Sequence, residues 1–542
     1  MTKYIFVVGG VMSGVGKGVA TASMAKILQS KGFEVTALKI DPYVNVDAGT
    51  MSPTEHGEVF VLKDGMECDQ DMGNYERFLN REFSKENYMT TGSVYLSVIN
   101  RERNLGYHGK QVEVVPHIPL EVIDRINIAV KKNKADIALI EIGGTVGEYQ
   151  NILFLEAVRI LKAKQPTNVL LALVSLFPAL GAGGTEIKTK PTQYAIRTLN
   201  SAGLQPDLII ARAKSPLDEK KKKHLAFNCN LDEKGIISAP DVENIYEIPL
   251  NFEKDRLAEF VLRKLNLKPK KTDMKEWRSF IKKIKSATKT ISIGIVGKYF
   301  GTGNYILTDS YISVIEAVKC AAYSEKLKPI IKWINAEEFE NSKKALKELS
   351  KFNGVIVPGG FGSRGIEGKI KAIEYVREHK IPYLGLCYGM QLAMIEFARH
   401  KLKLKNASST EIDSKTPYPV IDVMFDQKSK IEKKDLGGSM RLGDYRCRIL
   451  KDTLASQAYG KNLITERHRH RYEFNNHFRE KFEKKGMVFS GLNPEQNLVE
   501  IAELPKKEHP FFLGTQFHPE LKSRPMNPHP LFIEFIKAGS KK

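Results

Sequence analysis

Short apolar runs rich in β-branched residues recur through the first half of the chain, at 4–8, 34–41, 136–142, 168–175 and 207–211, with helical periodicity filling much of the space between them. Strand-length runs alternating with helix-length segments are the pattern of a parallel sheet covered by helices. The pattern breaks from about 266 to 290, where NLKPKKTDMKEWRSFIKKIKSATKT is polar, lysine-rich and helical only in places, and it reads as a linker. A second alternating series opens with ISIGIVGKY (291–299) and continues with GVIVPGG (354–360) and PYLGLCYG (382–389). The expectation is α/β architecture in two doubly wound domains, 1–265 and 291–542, joined by 266–290. Single cores stop growing at about 250–300 residues, so the 542-residue length agrees with two. No internal repeat at solenoid periods is present.

The first strand runs directly into chemistry. In FVVGGVMSGVGKGVATASMAKILQS (6–30) it meets a glycine-rich turn, a lysine and then a helix. Backbone N–H groups of Ser13, Gly14, Val15, Gly16, Lys17 and Gly18 can converge on phosphate oxygens there, aided by the positive end of the helix. Lys17 would neutralise β- and γ-phosphates. The usual phosphate loop places Ser or Thr after the lysine to hold magnesium, whereas this chain has Gly18. Mg²⁺ takes hard oxygen ligands, so the missing hydroxyl must be replaced by carboxylates. Glu141 ends the apolar run in DIALIEIGGTVGE (136–148), at the sheet edge where open α/β folds bind ligands. The acidic pair Asp69 and Asp71 in ECDQDMGNYERF is the other candidate.

The second series carries a cysteine. YLGLCYGMQLAMIEFA (383–398) reads as a strand, a sharp turn centred on Cys387 and a helix, the arrangement that exposes a nucleophile. A free thiol titrates near about 8.5, and a helix N-terminus with a histidine favours the thiolate. His518 in GTQFHPE (514–520) would be the base and Glu520 would orient its imidazole. VPGGFGSRG (357–365) offers backbone N–H groups for an oxyanion hole. RHRHRYE (467–473) places His468 and His470 close together, but a metal site would need a third ligand and none is in view.

Composition narrows the partners. The formal net charge is +21, which raises nucleic acid first. Much of the lysine lies in runs such as KKKKH (220–224) and KPKK (268–271), without the interleaved aromatics of a nucleic-acid surface. The excess reads as a solvated surface, or as suited to polyanionic small substrates. The five cysteines have no spacing for zinc or a disulfide framework, which fits a reducing cytosol. No apolar run approaches the ~20 residues of a membrane span, and MTKYIFVVGG enters a strand at once, leaving no room for a signal peptide. The expectation is a cytoplasmic protein with neither membrane nor nucleic acid as partner.

DPYVNVDAGTMSPTEHGEVFVLKDGMECDQDMGNYERF (41–78), EIGGTVGE (141–148) and KTKPTQ (188–193) closely resemble the CTP synthase family, and the resemblance covers nearly the whole chain. Cys387, His518, Glu520 and the 357–365 loop together resemble a class I glutamine amidotransferase. The resemblance implies a P-loop, dethiobiotin synthetase-like synthetase domain followed by a glutaminase domain. It implies a ligase that aminates UTP to CTP with ATP and with ammonia released from L-glutamine. Asp71 and Glu141 would hold Mg²⁺, and Lys17 and Lys39 would join the 13–18 loop and Asp71 on ATP. Ser13, Glu148, Tyr149, Gln150, Lys188, Lys190, Gln193, Lys223 and His224 fall at positions for UTP or CTP. Gly359, Gly360, Phe361, Gln391, Glu411, Arg471 and Tyr472 would hold glutamine, Arg471 and Glu411 suiting its carboxylate and amine. His56 and Val59 would border an ammonia passage and DLGGSMRLG (435–443) would form a lid. The family adds GTP as activator, CTP as inhibitor and a homotetramer with pyrimidine sites at subunit interfaces.

The sequence departs from the family pattern twice. Glu148-Tyr149-Gln150 stands where Asp-Ile-Glu is typical, and His224, beside Lys223, aligns with an expected lysine. Two other readings are open at this stage. An amidotransferase joined to a related ATP-binding domain, as in cobyrinic acid amide synthases, would not need KTKPTQ or GTMSPTEHGEVFV. A non-catalytic assembly protein built on dead enzyme domains would be expected to have a damaged triad.

Overall fold

The computed structural model describes residues 2–180, 186–297, 308–360, 364–424, 427 and 438–542. The chain forms two compact units, one of Met1–Ala48 with Asp71–Ile281, the other of Gly49–Gln70 with Lys282–Lys542. The expected limits of 1–265 and 291–542 follow chain order, whereas the 49–70 segment groups with the C-terminal half.

The first unit is built on a seven-stranded sheet in the order Ile236–Pro240, Leu208–Ala213, Val169–Leu176, Lys3–Gly9, Ile137–Ile142, Val35–Asp41, Tyr88–Thr90. Every pairing is parallel. Helices cover both faces, so the central strands read as continuous apolar runs rather than alternating ones. Lys3–Gly9 lies between Ile137–Ile142 and Val169–Leu176, which aims its glycine-rich turn at the middle of the C-terminal edge. Lys39 and Val7 both pair in register with Glu141. Residues in register on neighbouring strands share a face, so the lysine is set beside the acid by the sheet itself.

Two strands of this sheet escape the sequence pattern. Tyr88–Thr90 has three residues, and Ile236–Pro240 ends in a proline; both lie at sheet edges, where such strands are tolerated. The expected linker is also more ordered than its polarity suggests. Lys275–Ser286 is a helix with Trp277, Phe280 and Ile281 buried. Their helical spacing forms one apolar stripe, masked in the sequence by the lysines that flank it at 275, 282, 283 and 285. The Trp277 indole N–H donates to the Tyr246 carbonyl at 2.9 Å.

The second unit has a nine-stranded sheet. Leu327–Asn335, Lys289–Gly297, Gly354–Val357, Tyr383–Leu386 and Phe512–Thr515 run parallel, followed by antiparallel Val499–Glu503, Val488–Leu492, Arg441–Ile449 and Leu463–His470. The antiparallel part is absent from the sequence reading because its strands bury charge. Arg441 is 3 % exposed, between Glu473 at 3.2 Å and Glu500 at 2.9 Å. The 49–70 segment forms the short helix Pro53–His56 and a hairpin of Val59–Val61 with Glu67–Asp69. Arg469 Nε donates to Glu67 at 2.8 Å and Arg467 Nη1 to the Val61 carbonyl at 3.1 Å, which fixes the hairpin within this unit. Among the described residues no helix is long and apolar enough to cross a membrane.

Candidate active sites

At the sheet edge of the first unit, Gly16 adopts φ 79° and opens the helix Lys17–Ser30. Ser13 and Gly14 are exposed and Val15 is buried. Lys17 Nζ donates to the Gly144 carbonyl at 2.8 Å. Lys39, 5 % exposed, donates to Asp71 Oδ2 and, at 3.0 Å, to Glu141 Oε1, with Asp41 Oδ1 at 3.5 Å. Asp71 opens the helix Asp71–Leu79, and Tyr75, one turn on, donates its hydroxyl to Glu141 Oε2. Lys17, Lys39, Asp71 and Glu141, all candidates from the sequence, thus gather in one cluster. Asp41 and Tyr75 join it without having been candidates, although both lie inside the 41–78 motif.

The electrostatics of this cluster are those of a charged site held partly out of water. Burial, with the neighbouring Asp71 carboxylate, pushes the Glu141 carboxyl above its ordinary range, against Lys39 and Lys17. Burial also lowers the Lys17 ammonium, Lys39 adds to that, and Glu141 and Asp71 oppose it.

The residue after Lys17 explains how the metal would be held. A Cβ at Gly18 would lie 1.8 Å from Asp71 Oδ1, so a serine or threonine here would displace the carboxylate that takes its place. Asp71 and Glu141 supply hard oxygens that already share one cation, Lys39, a donor set suited to Mg²⁺.

The pyrimidine candidates sit around the same unit. Glu148 Oε1 accepts from Thr145 N at 2.9 Å and from its hydroxyl at 2.6 Å. Tyr149 and Gln150 are exposed. Lys188 pairs with Glu186 at 2.5 Å, and Lys190 Nζ reaches Gln193 Oε1 at 3.4 Å. Lys223 and His224 are exposed on the helix Glu219–Cys229. No hydrogen bond joins the 148–150 turn to Lys223 or His224 among the described residues.

In the second unit Cys387 caps the helix Tyr388–His400 at φ 50°, ψ −100°, a strained conformation for a non-glycine residue. Just after it the helix start packs tightly on the sheet, since a Cβ at Gly389 would lie 2.0 Å from the Val357 carbonyl. The strand Tyr383–Leu386 therefore delivers the thiol at the sheet edge. His518 Nδ1 and Glu520 Oε1 are 2.7 Å apart. Burial opposes protonation of His518, but Glu520 and the Cys387 sulfur outweigh it and hold the imidazole well above its ordinary value. Cys387 and His518 line one cavity, the arrangement of a nucleophile with a histidine base oriented by a carboxylate.

A cavity of about 70 Å³ opens on the cysteine, lined by Pro53, Val59, Gly359, Cys387, Arg469 and His518 among others. Val59, a passage candidate, is on its wall; His56 is exposed at the end of the short helix. Of the glutamine candidates, Gly359 and Gly360 line the cavity, and Phe361 lies outside the described residues. Gln391 Nε2 donates to the Tyr472 carbonyl at 2.8 Å. Arg471 contacts Gln427 at 2.9 Å and Ser439 at 3.0 Å. Burial raises the Tyr472 hydroxyl, with the Glu411 carboxylate adding to it. Part of the expected lid, 435–437, lies outside the described residues.

Among the described residues His468 and His470 gather no third metal ligand. Their ring nitrogens bond each other at 2.8 Å, and burial with Arg441 nearby keeps both well below the usual imidazole value. Among the described residues one group has metal-like spacing, Glu374, Glu396 and His400. There Arg377 already grips the Glu396 carboxylate, with contacts from 2.7 to 3.1 Å.

Fold and geometry define an α/β protein that joins a phosphate-loop unit to an amidotransferase-like unit with a Cys-His-Glu triad. The family model described as CTP synthase N-terminus matches residues 3–267, and that of class I glutamine amidotransferase matches 306–538. CTP synthase of Caldanaerobacter subterraneus subsp. tengcongensis is 49% identical over 539 residues, 99% of this chain and 98% of the relative. That of Bacillus velezensis is 48% identical over 541 residues, 99% of each chain. A solved Trypanosoma brucei CTPS glutaminase domain with bound acivicin aligns with 47% of this chain and 95% of its own, at 34% identity and a TM-score of 0.43. The chain belongs to the CTP synthase family.

Proposed function

We propose that residues 1–265 carry the ATP-dependent step and 291–542 the glutaminase step of UTP amination to CTP. As a member of the family the chain is a ligase forming a C–N bond, with UTP, ATP and glutamine as substrates. The observation that carries the division of labour is that one chain holds both the Lys17–Lys39–Asp71–Glu141 cluster and an oriented Cys387–His518–Glu520 triad. An assembly protein on dead domains has no need for either.

Glutamine binds with its carboxylate toward Arg471 and its amine toward Glu411. The Cys387 sulfur attacks the amide carbon, and His518 hands its proton to the leaving nitrogen, releasing ammonia and a thioester. Water then cleaves the thioester to glutamate, with His518 as base and Glu520 holding the imidazole. Ammonia escaping to neutral water mostly protonates and stops being a nucleophile, so the reading includes an internal passage starting beside Val59.

On the other unit the 13–18 loop and Lys17 cradle the ATP phosphates. The uracil O4 takes the γ-phosphoryl group, leaving ADP, and ammonia displaces phosphate at C4 to give CTP. Asp71 and Glu141 would hold Mg²⁺, which supplies charge neutralisation between the phosphates. Lys39 fixes both carboxylates. Two triphosphates bring about eight negative charges together, and unit charges at about 4 Å and an effective dielectric of about 20 interact by about 4 kcal/mol; the buried lysines answer that repulsion.

The reading extends to GTP as activator, CTP as inhibitor and a homotetramer that completes the pyrimidine site. Support for self-association is the exposure of Tyr149 (91%) and Phe227 (88%), with Leu96 and Ile99 also exposed on one helix. Scattered exposed apolar residues are ordinary, but Tyr149 is itself a pyrimidine candidate and Phe227 lies one turn beyond His224 on the same helix. CTP formation from UTP, ATP and glutamine, followed optically, tests the whole reading; no CTP from a folded protein with all three present rejects it.

Position 150 yields a further prediction. Gln150 both donates and accepts, whereas a glutamate only accepts when ionised. Hydrogen bonds to charged groups contribute about 1.5–3 kcal/mol against about 1 for neutral ones. Gln150→Glu is expected to strengthen CTP inhibition by up to about tenfold, since 1.4 kcal/mol is a factor of ten. The inhibition constant of CTP at fixed UTP is the measurement; unchanged or weaker inhibition removes position 150 from CTP recognition.

A further inference from the structure

Gln516 stands one residue beyond the strand Phe512–Thr515, and Cys387 one residue beyond Tyr383–Leu386. The two strands pair in parallel with Leu386 opposite Thr515, and Cys387 N donates to the Thr515 carbonyl at 2.7 Å. The register therefore carries Gln516 alongside the cysteine just where both strands end. Gln516 is fully buried, and its own backbone N–H is tied to the Glu500 carbonyl at 2.8 Å.

Its side chain is oriented by a chain of bonds with one direction. The Tyr472 carbonyl can only accept, so the Gln391 nitrogen, 2.8 Å away, faces it as donor. The same nitrogen lies 3.3 Å from Gln516 Oε1. With its oxygen committed there, Gln516 turns its NH₂ toward the Cys387 sulfur, at 3.7 Å. On another side of the sulfur, at 3.8 Å, the Arg469 carbonyl accepts from the thiol S–H.

We propose that Gln516 is a catalytic residue of the glutaminase step, an amide donor that stabilises the Cys387 thiolate. The inference rests on the reading of Cys387 as nucleophile and adds a residue to that site. Each sulfur state then has a partner: the thiol donates to the Arg469 carbonyl, and the thiolate accepts from the Gln516 amide. Buried donors to an anion gain strength because water is excluded. An amide cannot take the thiol proton, so its donation favours the charged sulfur while leaving the proton to His518. No bond to carbon forms or breaks at Gln516. Its effect falls on the fraction of sulfur ready to attack, and it persists when glutamine is absent.

The test is the pH dependence of Cys387 alkylation by iodoacetamide, read by peptide mass in the full-length protein. Gln516→Met keeps the shape and removes the donor; Gln516→Glu replaces the donor with an acceptor. Gln516→Met is expected to raise the alkylation midpoint by about one pH unit, a tenfold loss of thiolate below it, and Gln516→Glu by more. Gln391→Met serves if either variant fails to fold, because it releases the Gln516 oxygen and should move the midpoint the same way by less. Midpoints that stay within about 0.2 pH unit of the unaltered protein in the folded variants overturn the proposal. Alkylation of the unaltered protein separately tests the nucleophile: full modification of Cys387 with glutaminase activity retained would sink that reading instead.

Discussion

Cys387→Ala is expected to lower glutamine-dependent CTP formation by on the order of 10⁴-fold or more, as loss of a covalent nucleophile does. CTP formation from added ammonium salt is expected to continue. The reason lies in what each unit holds. The thiol sits at the end of its own parallel strand, with His518 and Glu520 delivered by the 514–520 segment of the same unit. Lys39 and Glu141 lie on neighbouring strands of another sheet, and Lys17 and Asp71 open helices at its edge. Alanine also tolerates the site: the positive φ at position 387 already carries a Cβ, and alanine only removes the sulfur. Two rates are needed from one preparation, with glutamine and with ammonium salt as nitrogen source, together with a thermal melt. Loss of both rates in a folded variant would mean that the cysteine serves the synthetase step as well. Retention of the glutamine-dependent rate would remove it from the chemistry altogether.

How much of this was legible in the sequence depended on whether a residue announced itself locally. The parallel strands at 4–8, 34–41, 136–142, 168–175, 207–211, 291–299, 354–360 and 382–389 did, because burial on both faces writes an uninterrupted apolar run, whereas Tyr88–Thr90, Ile236–Pro240, Leu327–Asn335 and Phe512–Thr515 did not. Cys387, His518 and Glu520 did, because a strand–glycine–helix turn and a short histidine–carboxylate spacing survive without knowledge of the rest. The antiparallel half of the second sheet did not. Its strands carry Arg441, Glu466, Arg467, His468 and Glu500 inside, and a buried ion network looks like surface until its partners are known. The helix Lys275–Ser286 was hidden similarly, by the lysines that flank Trp277, Phe280 and Ile281. The 49–70 hairpin could not have been assigned to its unit from chain order, because the bonds that fix it come from Arg467 and Arg469, about four hundred residues away. Gln516 lay in full view beside His518, but only the strand register shows that its amide meets the thiol.

Asp71→Asn is expected to lower CTP formation roughly 10²–10³-fold with either nitrogen source, while glutamine hydrolysis partly survives. The magnitude follows from weakening the attraction between one carboxylate and the Mg²⁺ it would hold, about 4 kcal/mol per pair of unit charges at about 4 Å and an effective dielectric of about 20, less the share recovered by relaxation. Lys17→Ala and Glu141→Gln are expected to act in the same direction. Lys17 loses its grip on the Gly144 carbonyl and its charge at the loop; Glu141→Gln leaves Lys39 buried with one carboxylate fewer. These substitutions differ in how they should respond to magnesium. With Asp71 and Glu141 as ligands, the two acid variants should need more Mg²⁺ to reach half their own maximal rate, whereas the Lys17 variant should not. Position 18 provides the steric counterpart. A Cβ there would meet Asp71 Oδ1 at 1.8 Å, so Gly18→Ala should resemble Asp71→Asn in its magnesium requirement without touching any charge. Magnesium titrations of CTP formation from ammonium salt, with thermal melts to establish folding, separate these cases. Ordinary CTP synthesis by Asp71→Asn at the unaltered protein's magnesium requirement would show that the metal is held elsewhere, and that Gly18 is a glycine for packing alone.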